Sequence, residues 1–400
     1  MEAKVETASA RTVRDTPLAA THARAGAKMG VWFGCALPDT FGDASAEFRH
    51  ARESVALIDK NYRAYLSFTG PDRVRYLNAV LTNNIKDLSV GQGIVSLLLN
   101  PQGHILAEME TYAFADKLSC VSYAMVREPL MEVLDKFIIM DDVTLTDETE
   151  RFGTLALEGP KAAAVLKNLA GIDLEQLSEL ASVDAEILRS AQVDIFGKVA
   201  AREAIPCRIV KRSPGGAAGA EFVVEREKLV ALWEILLGAT HKHGGGPMGY
   251  TALSGLRLEQ GVPWFGYDFG EKQIPHEAGL QDSHISYTKG CYTGQEIVER
   301  VRSRGQVNRQ RVGLIFSGEG VPQAGTPVMM EGKEVGFVTR AAKAWDSVPA
   351  RVLGMGYVRR EAGALGSVLQ WAGGTATVTQ FPIRGTQSIS SKTPGQITLH

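Results

Sequence analysis

Lys289-Gly290-Cys291-Tyr292-Thr293-Gly294-Gln295-Glu296 sets a thiol between two glycines, two residues after a lysine and just ahead of an apolar-periodic run. Thr293 and Glu296 have the S/T-x-x-E spacing of a capping box, in which each side chain takes up a backbone N–H of the other. Ile297, Val298 and Val301 then fall on one helical face, and Glu296 and Arg300 stand at i,i+4 on another. A helix start just after Cys291 is the expectation. The positive end of a helix dipole and a neighbouring ammonium both favour thiolate over thiol, which makes Cys291 and Lys289 candidates for catalytic roles. A glycine-rich turn holding a cysteine as a small buried hydrophobe accounts for the same residues equally well.

Around this stretch lie 400 residues, more than one core usually supports, so two or three domains are expected. With 44% hydrophobic and 22% charged residues the composition is that of an ordinary globular protein, and a formal charge of -2 leaves no overall footprint for nucleic acid. Cys35, Cys120, Cys207 and Cys291 include no C-x-x-C pair, which argues against a zinc ribbon or a disulfide scaffold and fits a reducing compartment. No apolar run approaches the roughly 20 residues that span a bilayer. The start carries Glu2, Glu6 and Asp15 and no apolar signal core. A cytoplasmic chain without membrane association is expected.

Residues 1–28 read as a loose N-terminal segment. Periodicity predicts a helix over 44–55, a strand over 62–68, a turn at Gly70-Pro71-Asp72 and a helix with Val74, Leu77, Val80 and Leu81 at core spacing. A hairpin follows, with strands over 94–99 and 105–114 joined by Asn100-Pro101-Gln102-Gly103. Glu108 and Glu110 share one face of its second strand. Such a pair suits acid/base work or ligand binding, although the solvated side of a half-buried strand is the commoner reason for the spacing. Residues 152–157 and Glu158-Gly159-Pro160 repeat the order strand, Gly-Pro turn, helix, which indicates two related α+β halves. His241 and His243 stand two apart beside a glycine run without a third ligand, the pattern of a solvated loop. Beyond 309, β segments at 311–316, 327–330, 334–339, 351–358, 367–371 and 375–381 alternate with glycine turns, predicting a small antiparallel barrel. The polar end, 384–400, reads as a disordered tail.

In this order the features resemble the folate-binding superfamily of the glycine cleavage T-protein, the aminomethyltransferases, and within it the YgfZ-type branch. The resemblance is carried by Leu81-Thr82-Asn83-Asn84, by Leu98-Leu99 with the Asn100–Gly103 turn, by Leu157-Glu158-Gly159-Pro160, and by residues 257–263 with Gly266 and Asp268. Its most specific marker is KGCYTGQE followed by Arg300 and residues 305–309, and it covers residues 30–381. It implies an α+β fold in which two related α+β domains and a C-terminal antiparallel β-barrel form a three-lobed ring, with tetrahydrofolate in the central channel. The folate-binding region is then 29–309 and the barrel 310–383. By the same resemblance Glu108, Arg257, Glu259, Asn83 and Tyr292 are folate-binding candidates. Cys291 with Lys289 would be the reactive centre of an accessory protein for assembly or repair of iron–sulfur enzymes. Its partners would be a folate derivative and iron–sulfur client or assembly proteins; no metal site is implied.

This chain departs from the transferase pattern at three places. It has Ala107-Glu108 where aminomethyltransferases carry Asp-Asp, residues 214–219 where they carry a pterin-holding glutamate, and Ala252-Leu253-Ser254 where they carry an arginine suited to carboxylate binding. Transfer of a one-carbon unit from an aminomethyl-lipoyl arm needs an acid/base group at the reacting nitrogen. The departures therefore favour the accessory role, with a folate-dependent aminomethyltransferase as the alternative and a ligand-free interaction module third.

Overall fold

The structure, a computed structural model, describes residues 13–188, 204–216 and 218–383. Its two halves are built on the strand, Gly-Pro turn, helix order: Arg63–Thr69 leads into helix Arg73–Val80, and Phe152–Glu158 leads into helix Ala162–Ala170. Gly70 and Gly159 turn at φ 96° and 127°, and an added Cβ would lie 2.2 Å from Asp142 O and 2.6 Å from Ala51 O. Only glycine fits such a close backbone approach at positive φ.

Each strand lies in its own sheet. The first sheet has five strands in the order Gly93–Leu99, Ile105–Ala113, Leu118–Tyr123, Arg63–Thr69 and Thr144–Asp147. The second has six: Ser182–Leu188, Ala204–Lys211, Gly219–Glu225, Phe152–Glu158, Ala56–Asp59 and Gly246–Pro247. The six predicted C-terminal segments each become one strand of a closed barrel, ordered Arg309–Gly318, Arg351–Arg359, Lys333–Ala344, Pro327–Met330, Val368–Trp371 and Gly374–Thr379. Glycine turns between short alternating runs are a strong local signal, so the barrel follows directly from the sequence.

Helix Tyr250–Gln260 holds sheets and barrel together. It is buried along most of its length, and at Gly255 a Cβ would lie 2.2 Å from Lys343 O, so the helix rests directly on a barrel strand. Aromatic rings fill the space beside it, with Phe33 stacked on Tyr62 at 4.2 Å and edge-on to Trp264 at 5.1 Å.

Residues 13–28, expected as loose, are part of the fold. Helix Ala19–Arg24 buries His22 completely, its Nε2 2.8 Å from Asp59 Oδ2 and its ring edge-on to Trp233. Arg14–Asp15 pairs with Cys35–Thr40, which forms a hairpin with Lys28–Trp32. This segment is held by a buried polar contact, which hydrophobic periodicity does not register. Residues 1–12 and the expected tail, 384–400, lie outside the described residues. Among the described residues no helix is long and apolar enough to cross a membrane.

Candidate functional site

A cavity of about 530 Å³ opens where the two sheets, the turn at 261–263, the segment 279–284 and the barrel residue Arg311 converge. Glu108 and Glu110 lie on its wall, only 7% and 2% exposed. This corrects the reading of their face as the solvated side of a half-buried strand. Ile105–Ala113 has a neighbour on each edge, and the carboxylate-bearing face is covered by Arg212, the 279–284 segment and Tyr123. Alternation along a strand defines two faces; it does not say what covers either.

Around Glu110 the polar groups form a buried ion network. Arg63 Nη2 donates to Glu110 Oε2 at 2.6 Å, Arg212 Nε lies 2.8 Å from Oε1, and the Tyr112 hydroxyl donates to Oε2 at 2.9 Å. Lys60 pairs with Glu221, which also meets Arg63 at 3.4 Å. Burial works against the Glu110 charge, but Arg212, Arg63 and Lys60 outweigh it and hold the carboxyl well below the ordinary range. Burial likewise lowers the Lys60 ammonium, to about 8, against the opposing pull of Glu221.

Glu108 has its own partners. His284 Nε2 lies 3.0 Å from Oε1, and the Tyr123 hydroxyl donates to Oε2 at 2.9 Å. Burial raises this carboxyl, but the hydrogen bond and charge of His284, with Arg212 beyond, bring it below its ordinary value. It is therefore a carboxylate in a low-dielectric cavity, with lone pairs left over for a ligand N–H.

The motif loop docks beside this wall. Helix Gln295–Arg304 begins after Gly294, whose φ of 82° is left-handed, and no side chain caps it. The expected Thr293–Glu296 capping box is therefore absent: the glycine turn gives the chain its direction, and Glu296 instead pairs with Arg300 at 2.7 Å. An added Cβ at Gly294 would lie 2.6 Å from Asn100 O, and one at Gly103 2.9 Å from Ile297, so the loop and the 100–103 turn meet with no room for a side chain. Lys289 Nζ donates to the carbonyls of Asn78 and Leu81, the free end of helix Arg73–Val80, and its ammonium is lowered to about 8 by burial. Cys291 is exposed, while Cys35, Cys120 and Cys207 are buried.

Among the folate-binding candidates from sequence, Glu108 lines the cavity and the others are not part of its lining. Asn83 Nδ2 donates to Val95 O at 2.9 Å and Ser283 O at 3.2 Å, tying the 279–284 segment to the first sheet. Arg257 is fully buried against Asp268 and stacks on Trp264 at 4.2 Å. Glu259 pairs with Arg52, and Tyr292 is buried beneath Lys289, 5.0 Å from Nζ to ring centroid. Sequence reasoning passed over Arg63, Tyr123, Arg212 and His284. Arg63 did leave a signal, as the charged residue of an otherwise uncharged strand, Arg63–Thr69. His284 left none beyond being a lone histidine seven residues before Cys291.

The family described as GCVT N-terminal domain matches residues 18–284, and the chain belongs to that family. An aminomethyltransferase of Streptomyces avermitilis is 28% identical over 353 residues, 88% of this chain and 90% of that one. The aminomethyltransferase of Caldanaerobacter subterraneus is 27% identical over 329 residues, 82% and 83% of the two chains. The solved glycine cleavage system aminomethyltransferase T from Bartonella henselae shares the fold, with a TM-score of 0.78 over 93% of this chain and 98% of that one at 24% identity. These relatives bear the name of the activity that the departures at Ala107 and Leu253 had argued against.

Proposed function

We propose that the cavity binds a tetrahydrofolate and that the chain acts as a folate-dependent aminomethyltransferase, with Glu108 as its acid/base group. The observation that carries this reading is a buried Glu108, met by His284 and Tyr123, on the wall of a cavity of ligand size. Tyr62, Tyr123 and Trp264 offer ring surface there, and Arg212 and Arg311 offer cationic donors, a set that suits a flat heterocycle with an anionic tail. Bound folate would supply the nitrogens that carry the one-carbon unit. The relatives named aminomethyltransferase support the same reading. The test is release of ammonia from an aminomethylated lipoyl carrier protein in the presence of tetrahydrofolate. Glu108→Gln should lower turnover by about 10²- to 10⁴-fold. A wild-type protein inactive on this substrate removes the reading.

A second reading rests on Cys291, the exposed thiol on a loop fixed to the hairpin that carries Glu108. In it the chain is a YgfZ-type accessory protein for iron–sulfur enzymes. One cysteine cannot complete a four-thiolate site, so any cluster held there would need ligands from a partner. Full support of dependent iron–sulfur enzymes by Cys291→Ala, in cells lacking the wild type, removes this reading and leaves the first.

A further inference from the structure

The geometry points to His284 as the positioning residue for Glu108, holding that carboxylate ionised and aimed into the cavity so that it accepts an N–H from the ligand. This inference rests on the proposed folate-binding role and deepens it.

Three fixed points define the arrangement. The His284 carbonyl accepts from Thr82 Oγ1 at 2.6 Å, the same hydroxyl that receives Leu97 N–H at 2.8 Å, so the residue is pinned to the first sheet through its backbone. Its Nδ1 lies 2.7 Å from Ser283 Oγ, and its Nε2 lies 3.0 Å from Glu108 Oε1. An ionised carboxylate only accepts, so Nε2 carries the proton toward Glu108, and in the neutral ring Nδ1 accepts from the Ser283 hydroxyl. Tyr123 donates to the second oxygen at 2.9 Å. Each carboxylate oxygen thus has one protein donor, and the carboxyl plane is fixed from both sides.

The other groups facing Glu108 cannot do this alone. Glu110, on the same strand, opposes its charge. Arg212 Nε pairs with Glu110, so its charge reaches Glu108 only from beyond, and the phenol of Tyr123 is held neutral by burial. Besides Tyr123, His284 is the donor within hydrogen-bond reach of the carboxylate among the described residues. Without it burial prevails, and the carboxyl rises toward its protonated form, which would compete with a ligand N–H for the same acceptor.

The test is a carboxyl titration by carbon-13 NMR on full-length protein labelled at glutamate side chains, with Glu108→Gln identifying the resonance. In the wild type Glu108 should titrate below about 4.3. In His284→Gln, which keeps an amide donor but no ring, the midpoint should rise by about one to three pH units, and in Ser283→Ala by less. An unchanged midpoint in His284→Gln overturns the inference. So does a wild-type midpoint at or above the ordinary value, a measurement that stands even where a variant fails to fold. Neither readout uses folate or turnover, so an inactive wild type sinks the proposed function and not this assignment. If both hold, the acid limb of tetrahydrofolate binding moves upward in His284→Gln by the same interval.

Discussion

Replacing Asp268 by alanine tests how the barrel is joined to the rest of the molecule. The carboxylate accepts from Arg257, from Trp264 N–H at 2.9 Å and from Thr339 Oγ1 at 2.6 Å, and its own backbone carbonyl accepts from the Tyr357 hydroxyl at 2.9 Å. Helix Tyr250–Gln260, the 262–268 turn and two barrel strands therefore meet at one residue. Arg257 is 0% exposed, so the substitution leaves a guanidinium buried without its counter-charge, a change that costs about 3–5 kcal/mol. At an m-value near 3 kcal/mol/M the urea midpoint falls by about 1–1.7 M. Trp264, stacked on Arg257, makes tryptophan fluorescence a direct reporter. Arg257→Met should cost a similar amount, because it strands Asp268 instead. The double variant Arg257→Met/Asp268→Leu should recover about half or more of either loss, since an apolar pair of similar volume replaces a buried ion pair at little cost. A midpoint shift below about 0.3 M in Asp268→Ala, or strict additivity in the double variant, would refute the reasoning.

Other measurements probe the remaining parts. Glu110 is held below its ordinary value by Arg212, Arg63 and Lys60, so its stabilisation is present above the unfolded value of about 4.3 and is lost as pH falls through the folded one. Glu110→Gln should therefore be less stable by about 3–5 kcal/mol at pH 7, with a deficit that narrows below about pH 4; a constant deficit down to about pH 3 contradicts the network. A thiol reagent on native protein should modify one cysteine rapidly and three only on unfolding, and Cys291→Ser should abolish the fast phase. Gly294→Ala should cost about 1–3 kcal/mol through strain and the clash with Asn100 O. At Gly305, φ 68° with nothing within 4 Å of an added Cβ, the same change should cost clearly less; equal losses would mean that the docking of the loop contributes nothing.

Much of the fold was legible because its signals are local. The barrel turns, the Gly-Pro turns at Gly70 and Gly159 and the hairpin at 100–103 are written in residues that only a few backbone conformations accept. The site was legible in part. Glu108 and Glu110 could be placed on one face, but the burial of that face depends on Arg212 and the 279–284 segment, far along the chain. Thr293 and Glu296 have the right spacing for a capping box, yet the left-handed Gly294 between them reverses the chain before the helix begins. Lys289 seemed a partner for the thiol, and its ammonium is taken up by carbonyls at a helix end that no spacing rule connects to it.

The cavity wall is closed by contacts between residues remote in sequence. Thr82 meets His284 across 202 positions, Lys289 reaches Asn78 across 211, and Glu108 meets His284 across 176. Loop-closure entropy makes such contacts late to form, whereas hairpins such as 93–113 join near neighbours. During synthesis both sheets can therefore assemble while the carboxylate-bearing face still waits for the segment that covers it. A chain that stops short of residue 280 would keep the strands of both sheets and leave Glu108 without His284. The order of synthesis thus makes the cavity wall the last part of this half of the molecule to mature.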